Sequence, residues 1–241
     1  IRMPMRPLTR WLDTVQDWFD ASLTIDALAD SMQTVLSQGS TAINVTRTDG
    51  SAELGEHIAY IRQQGGAALF EHKLAEYRAN FATYTPPEFD RPERHATFAA
   101  LVDLLDAAHA NRSSVDIIIY PYHAAVLDLV RQHGLWSSFE QFKRVLVSIV
   151  WRRYPNTRIV DFSGYNAFTT EPPPLPGPGH AMRWYWEPAH FRTSLGDKII
   201  DRLYGGGADF GRDLTPATID AVLAAIRHER DEGLAEASSP R

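Results

Sequence analysis

The chain has 241 residues, of which 44% are hydrophobic and 22% charged, a balance that supports a buried core and excludes a wholly disordered chain. Its formal net charge is −6 and it carries no basic stripe, which excludes the electrostatic footprint of a nucleic-acid binder. Cysteine is absent, so disulfides, thiolate metal sites and cysteine nucleophiles are removed together, while the compartment stays open.

No apolar run reaches the roughly 18 residues of a membrane-spanning helix. The chain begins Ile1-Arg2-Met3-Pro4 rather than with an initiator methionine, and the expectation is a removed leader or a longer parent protein. Residues 1–38 read as helical, with Trp11, Val15, Trp18 and Phe19 and then Ile25, Leu28, Met32 and Val35 at helix spacing, so 1–40 forms an N-terminal helical segment. Thr41 to Thr46 is a short strand candidate before the turn residues Asp49-Gly50. Leu54, Ile58 and Ile61 mark a helix that stops at Gly65-Gly66, and Phe70, Leu74, Tyr77 and Phe81 mark another that stops at Pro86-Pro87.

From residue 94 the pattern alternates. Phe98 to Leu105 gives an apolar helix face, and Val115 to Tyr120 a continuous apolar run of the kind found in strands buried on both faces of a parallel sheet. A helix with Val126, Leu127 and Val130 ends near Gly134, and Phe139 to Trp151 forms a further helix. Arg158 to Phe162 is a second buried strand, left through Ser163-Gly164. This order predicts an α/β fold with a doubly wound, mostly parallel sheet over 41–232. Ligands of such sheets sit at the carboxyl ends of the strands, which makes the loops at 121–123 and 163–166 site candidates by position.

Glu171 to His180 is a Pro/Gly-rich surface loop or linker, followed by the densest aromatic cluster of the chain, Trp184-Tyr185-Trp186. Ser194 and Asp197 fit a capping box for a helix over 195–204, ended by Gly205-Gly206-Gly207. Thr215-Pro216 opens a last helix, and 233–241 reads as a polar, frayed tail.

The constellation with chemistry in it is Glu187-Pro188-Ala189-His190. A carboxylate three residues before a histidine can fix the imidazole tautomer and stabilise the imidazolium, leaving the other ring nitrogen for a nucleophile. The competing reading is a surface glutamate beside an unrelated histidine. The nine histidines show no H-x-x-x-H, H-x-H or H-E-x-x-H spacing, so neither a metal site nor a cofactor is expected.

The order of a buried strand, a late strand ending Val160-Asp161-Phe162, then WYWEPAHF and LGDKIIDRL resembles the C-terminal half of SGNH/GDSL-type hydrolases. More closely it resembles their cell-envelope acylation relatives, the DltD-like and AlgX/AlgJ-like proteins. The resemblance covers roughly residues 95–205. It implies His190 as catalytic base, with Glu187 in the place of that superfamily's aspartate, and sets Tyr122 and His123 in the region where the superfamily puts an oxyanion-side Gly or Asn. Its nucleophilic serine follows the first strand; the nearest phrase here is Asp49-Gly50-Ser51, but D-G-S is ordinary turn chemistry, which favours a turn serine at Ser51. With about five strands needed and three candidates found, the first strands and the nucleophile are expected to precede Ile1. Ser163 lies on the wrong strand for that role.

The resulting expectation is an extracytoplasmic or periplasmic carbohydrate esterase or O-acyltransferase. Its substrate is an acylated glycan or acyl donor, with Trp184 and Trp186 as sugar-stacking faces and a membrane-associated protein as a possible partner. The alternatives are a non-catalytic glycan-binding or scaffold member of the same fold, and an interaction domain docking through Trp11 and Trp18.

Overall fold

A computed structural model describes residues 55–87, 89, 95–207 and 210–238. Two compact units divide at residues 56 and 57, and nearly all of the described structure belongs to the second. The N-terminal helical segment, the strand candidate at 41–46, Ser51 and the expected boundary at residue 40 lie outside the described residues.

Helices α1 (Gly55–Gln64) and α2 (Gly66–Thr83) meet at Gly65. Its φ of +92° breaks the helix, and a Cβ there would lie 2.1 Å from the Gly177 carbonyl oxygen, so only glycine fits this junction. Helix α3 (Ala96–Ala110) leads into β1 (Asp116–Ile119), then α4 (Ala124–Gln132) and α5 (Trp136–Arg153), and then β2 (Arg158–Asp161). A hairpin of β3 (Tyr185–Glu187) and β4 (His190–Phe191) precedes α6 (Thr193–Ile200), which runs into a single π-helical turn at Asp201–Gly205. Strand β5 (Arg212–Asp213) and α7 (Ile219–Ser238) complete the order.

The architecture is mixed α/β and mostly helical. Its main sheet has the order β1-β2-β5, with β1 and β2 parallel and β5 antiparallel to β2. Alternation along β2 distributes its side chains between two cores. Ile159 packs with Phe98, Leu146, Val150, Leu223 and Ile226 of α3, α5 and α7, whereas Val160 and the following Phe162 pack with Phe70, Tyr185, Leu195 and Phe210. Asp116 and Arg158 face each other in register and close a two-pronged ion pair, Nε to Oδ1 2.9 Å and Nη2 to Oδ2 3.0 Å.

Several expectations change. Strand β1 is not buried on both faces: it pairs with β2 alone among the described residues, and Ile118 is 37% exposed. The segment around Glu187 is a β-hairpin, because the β-prone Trp184-Tyr185-Trp186 run pairs back across Pro188-Ala189. Ser194 does not cap α6; the helix starts at Thr193, and the Ser194 hydroxyl donates to the Arg183 carbonyl at 2.7 Å. Thr215 does cap, its hydroxyl accepting from the amides of Ala217 and Thr218 at 3.2 and 3.1 Å, just ahead of α7. That last helix continues through Gly233 to Ser238. The Pro/Gly-rich stretch is tied down rather than free: Gly66 donates to the His180 carbonyl at 2.8 Å and Gly179 to that of Ile61 at 3.1 Å.

Candidate functional site

The site is built where β1 ends. Beyond Ile119 the chain passes through Tyr120-Pro121-Tyr122 to His123, whose imidazole caps α4 by accepting from the Ala125 amide at Nδ1, 3.1 Å. Its Nε2 lies 2.7 Å from the Glu171 carbonyl oxygen, and a carbonyl only accepts, so the ring is the neutral Nε2–H tautomer. The β3–β4 hairpin rests on this turn through three hydrogen bonds. The His123 amide donates to the Pro188 carbonyl at 2.9 Å, the Tyr185 hydroxyl to the Pro121 carbonyl at 2.8 Å, and the Phe191 amide to the Tyr120 hydroxyl at 3.4 Å.

Within the hairpin Glu187 and His190 face each other across the two-residue turn, and the ring Nδ1 is hydrogen-bonded to Glu187 Oε1. The other carboxylate oxygen accepts from the Ala189 amide at 2.9 Å. The two side chains differ sharply in exposure, 1% for Glu187 and 61% for His190. A buried carboxylate is thus fixed by a backbone donor and aims an imidazole outward. Nδ1 carries the proton toward the carboxylate, and the Nε2 lone pair faces away from it without a hydrogen-bond partner among the described residues.

Two phenols feel the charge of the carboxylate. Burial pushes the Tyr120 hydroxyl up to about 12, with the Glu187 and Tyr122 charges adding to the effect. Tyr77 of α2 is likewise raised, first by burial and then by Glu187. Tyr120 stacks on Phe191 with centroids 4.9 Å apart and meets Tyr122 at the same distance with the rings tilted by 52°.

The residues singled out in the sequence have different fates. Glu187 and His190 come together, and Tyr122 is exposed in the turn after β1 with its ring against that of Tyr120. His123 is 5% exposed with both ring nitrogens engaged, so it supports the hairpin from below and offers a ligand no ring nitrogen. Trp184 and Trp186 are half-buried; Trp184 packs edge-on to Phe168 with centroids 5.0 Å apart, and each tryptophan has a guanidinium over its ring, Arg183 at 4.4 Å and Arg192 at 4.3 Å. Ser163 is buried and its hydroxyl is consumed, donating to Asp161 Oδ1 and accepting from Lys143 Nζ, both at 2.7 Å.

Comparison with protein-family models, with curated proteins and with solved structures returns no match for this chain.

Three participants escape a reading of motifs: Tyr77, Tyr120 and His57. The His57 ring lies edge-on to that of His190 with centroids 6.1 Å apart, and one ligand atom each from His57, Glu187 and His190 fall within 4.8 Å of one another. This is the one group of three among the described residues whose donor atoms lie close enough to hold a metal ion, and it is not a grouping that histidine spacing along the sequence could reveal. Spacing rules find ligands only on one helix or loop, whereas His57 reaches the hairpin from α1.

Proposed function

We propose that this chain is part of an ester hydrolase or O-acyltransferase that works on acyl esters of a cell-envelope or secreted glycan, on a doubly wound sheet of the SGNH type. The observation that carries the reading is the pair of a buried, backbone-anchored Glu187 and a solvent-facing His190, set at the carboxyl end of a parallel strand pair. In this reading a serine hydroxyl attacks the acyl carbonyl and passes its proton to His190 Nε2. The imidazolium is held by Glu187, and the proton then goes to the departing sugar hydroxyl. Water or an acceptor hydroxyl, deprotonated by the same nitrogen, releases the acyl group and restores the serine. Ser51, outside the described residues, is the in-chain candidate for that hydroxyl; a serine elsewhere in a longer protein is the other. In this reading the faces of the half-buried Trp184 and Trp186 rings not covered by Arg183 and Arg192 stack on pyranose rings. An extracytoplasmic setting and a membrane-associated partner belong to the same proposal.

The second reading, a glycan-binding member without chemistry, draws on the fact that no described hydroxyl is bonded to His190 Nε2. One experiment separates the two. Hydrolysis of p-nitrophenyl acetate and of an acetylated sugar is measured with the complete protein and with His190→Ala, beside thermal unfolding. The expected loss is about 10²–10⁴ in rate. The imidazole is mostly solvated, but its loss leaves Oε1 of the buried Glu187 without its partner, so stability should fall by about 1–3 kcal/mol while the fold is retained. Equal activity in both proteins sinks the hydrolase reading, and glycan binding that survives His190→Ala without any turnover favours the second.

A further inference from the structure

We propose that His57, Glu187 and His190 form a binding site for a divalent cation of the zinc class, and that the bound cation switches off the His190 base. The regulatory half rests on the hydrolase reading above; the binding half does not.

The donor set is the argument. Two imidazoles and one carboxylate are the borderline and hard ligands that suit Zn²⁺, and they are a set that Ca²⁺ and Mg²⁺, which prefer all-oxygen shells, do not favour. The three donor atoms already lie within 4.8 Å of one another. Ligand atoms around a tetrahedral zinc, each about 2.0–2.1 Å from the metal, stand a little over 3 Å apart, so small side-chain rotations close the site. Two of the three ligands are held in advance. Glu187 is fixed by the Ala189 amide at 2.9 Å, and Glu187 and His190 are locked in register across the two-residue turn. A structural support of this kind behind a ligating carboxylate raises affinity in known metal sites. Three protein ligands leave a fourth position, and the exposure of His190 places it toward solvent, where water completes the shell.

The cost to catalysis follows from the ring. A cation on Nε2 occupies the lone pair that would take the proton of the nucleophile. A cation on Nδ1 displaces the proton shared with Glu187, and so removes the group that orients the ring and stabilises the imidazolium. Either mode disables the base. No bond to substrate is made or broken, and chelation reverses the effect.

The test uses the complete protein with Zn²⁺ in titration calorimetry, and with Co²⁺ as a spectroscopic probe whose d–d bands report four-coordinate geometry. Wild type is expected to bind one ion with tetrahedral Co²⁺ bands. His57→Ala and His190→Ala should each weaken binding by about a hundredfold or more, since even loss of an outer-shell partner costs 10- to 100-fold. Thermal unfolding and circular dichroism verify that each variant is folded, and the exposed His190 provides a second variant should His57→Ala not fold. No binding in wild type, or binding of undiminished affinity in both folded variants, overturns the site. Hydrolysis of p-nitrophenyl acetate is then followed against Zn²⁺, each protein relative to its own chelator-treated rate. Inhibition in wild type that shifts to about a hundredfold higher Zn²⁺ in His57→Ala supports the switch. Activation by Zn²⁺ overturns it. Cation binding with no esterase activity in any form would leave the metal site standing and remove the hydrolase reading.

Discussion

Around the hairpin, the decisive residues are those whose polar atoms are already used. His123 is the clearest case, because its ring serves as a helix cap and as a donor to the Glu171 carbonyl, and the cap, which accepts at Nδ1, requires the neutral form. Burial pushes its pKa below the usual 6.5, against the opposing pull of the Glu171 carbonyl and the Glu171 and Asp128 charges. For a base with a depressed folded pKa, the unfolded chain takes up the proton first as pH falls. Its contribution is therefore fully present above about pH 6.5 and is lost as pH drops from there through the folded value. The midpoint of urea unfolding should accordingly fall between about pH 8 and pH 5, and fall less in His123→Asn, which keeps a capping oxygen without a titrating ring. The same slope in both proteins would take His123 out of the pH response. This residue also shows what a motif reading misses. Position after a strand made it a site candidate, whereas burial makes it a support.

Between elements, the most demanding contact joins α5 to the end of β2. The Lys143 ammonium donates to Asp161 Oδ2 at 2.6 Å and to the Ser163 hydroxyl at 2.7 Å, while Asp161 Oδ1 accepts from the Ser163 amide at 2.9 Å. All three side chains are buried, and the ammonium lies 4.1 Å from the centre of the Phe139 ring. Burial pushes the lysine down, and Asp161 opposes the shift. A pair of this kind adds little net stability relative to apolar residues of the same volume, yet removing one partner strands the other charge. Lys143→Met is expected to cost about 3–5 kcal/mol, and Lys143→Met combined with Asp161→Asn to recover a substantial part of it. Chemical denaturation of the two variants checks this, and a double variant as unstable as the single would show that the contact is packing rather than charge. The interaction holds the Ser163-Gly164 turn, so the sequence was right that the turn follows a buried strand and silent on why its serine is unavailable. That answer depends on a lysine from another helix.

At the level of the whole molecule, β2 belongs to both hydrophobic clusters, with Ile159 on one side and Val160 and Phe162 on the other. Neither cluster can lose its wall without uncovering the other. The second unit should therefore open cooperatively. Amide exchange is expected to give the same opening free energy for α5 peptides and for the Tyr185–Phe191 hairpin, within about 1 kcal/mol. A hairpin that opens well below the α5 value would mean that the candidate site fluctuates independently of the core.

What the sequence by itself determined is what local physics fixes. Apolar runs and helix periodicity located β1, β2 and most of the helices, because burial acts on each segment's own pattern. The spacing of Glu187 and His190 brought them within hydrogen-bond reach, since a separation of three residues is short in any compact backbone. The small strands β3, β4 and β5 were not legible. Two or three residues carry no period, and their hydrogen bonds exist only once a partner has been brought alongside. Only the tertiary structure decided that β1 pairs with β2 alone among the described residues, that the carboxylate is buried while its histidine is not, and that His57 stands beside them. Each of these depends on contacts between segments far apart along the chain, and a sequence pattern records the polarity of a residue without recording which distant surface will cover it.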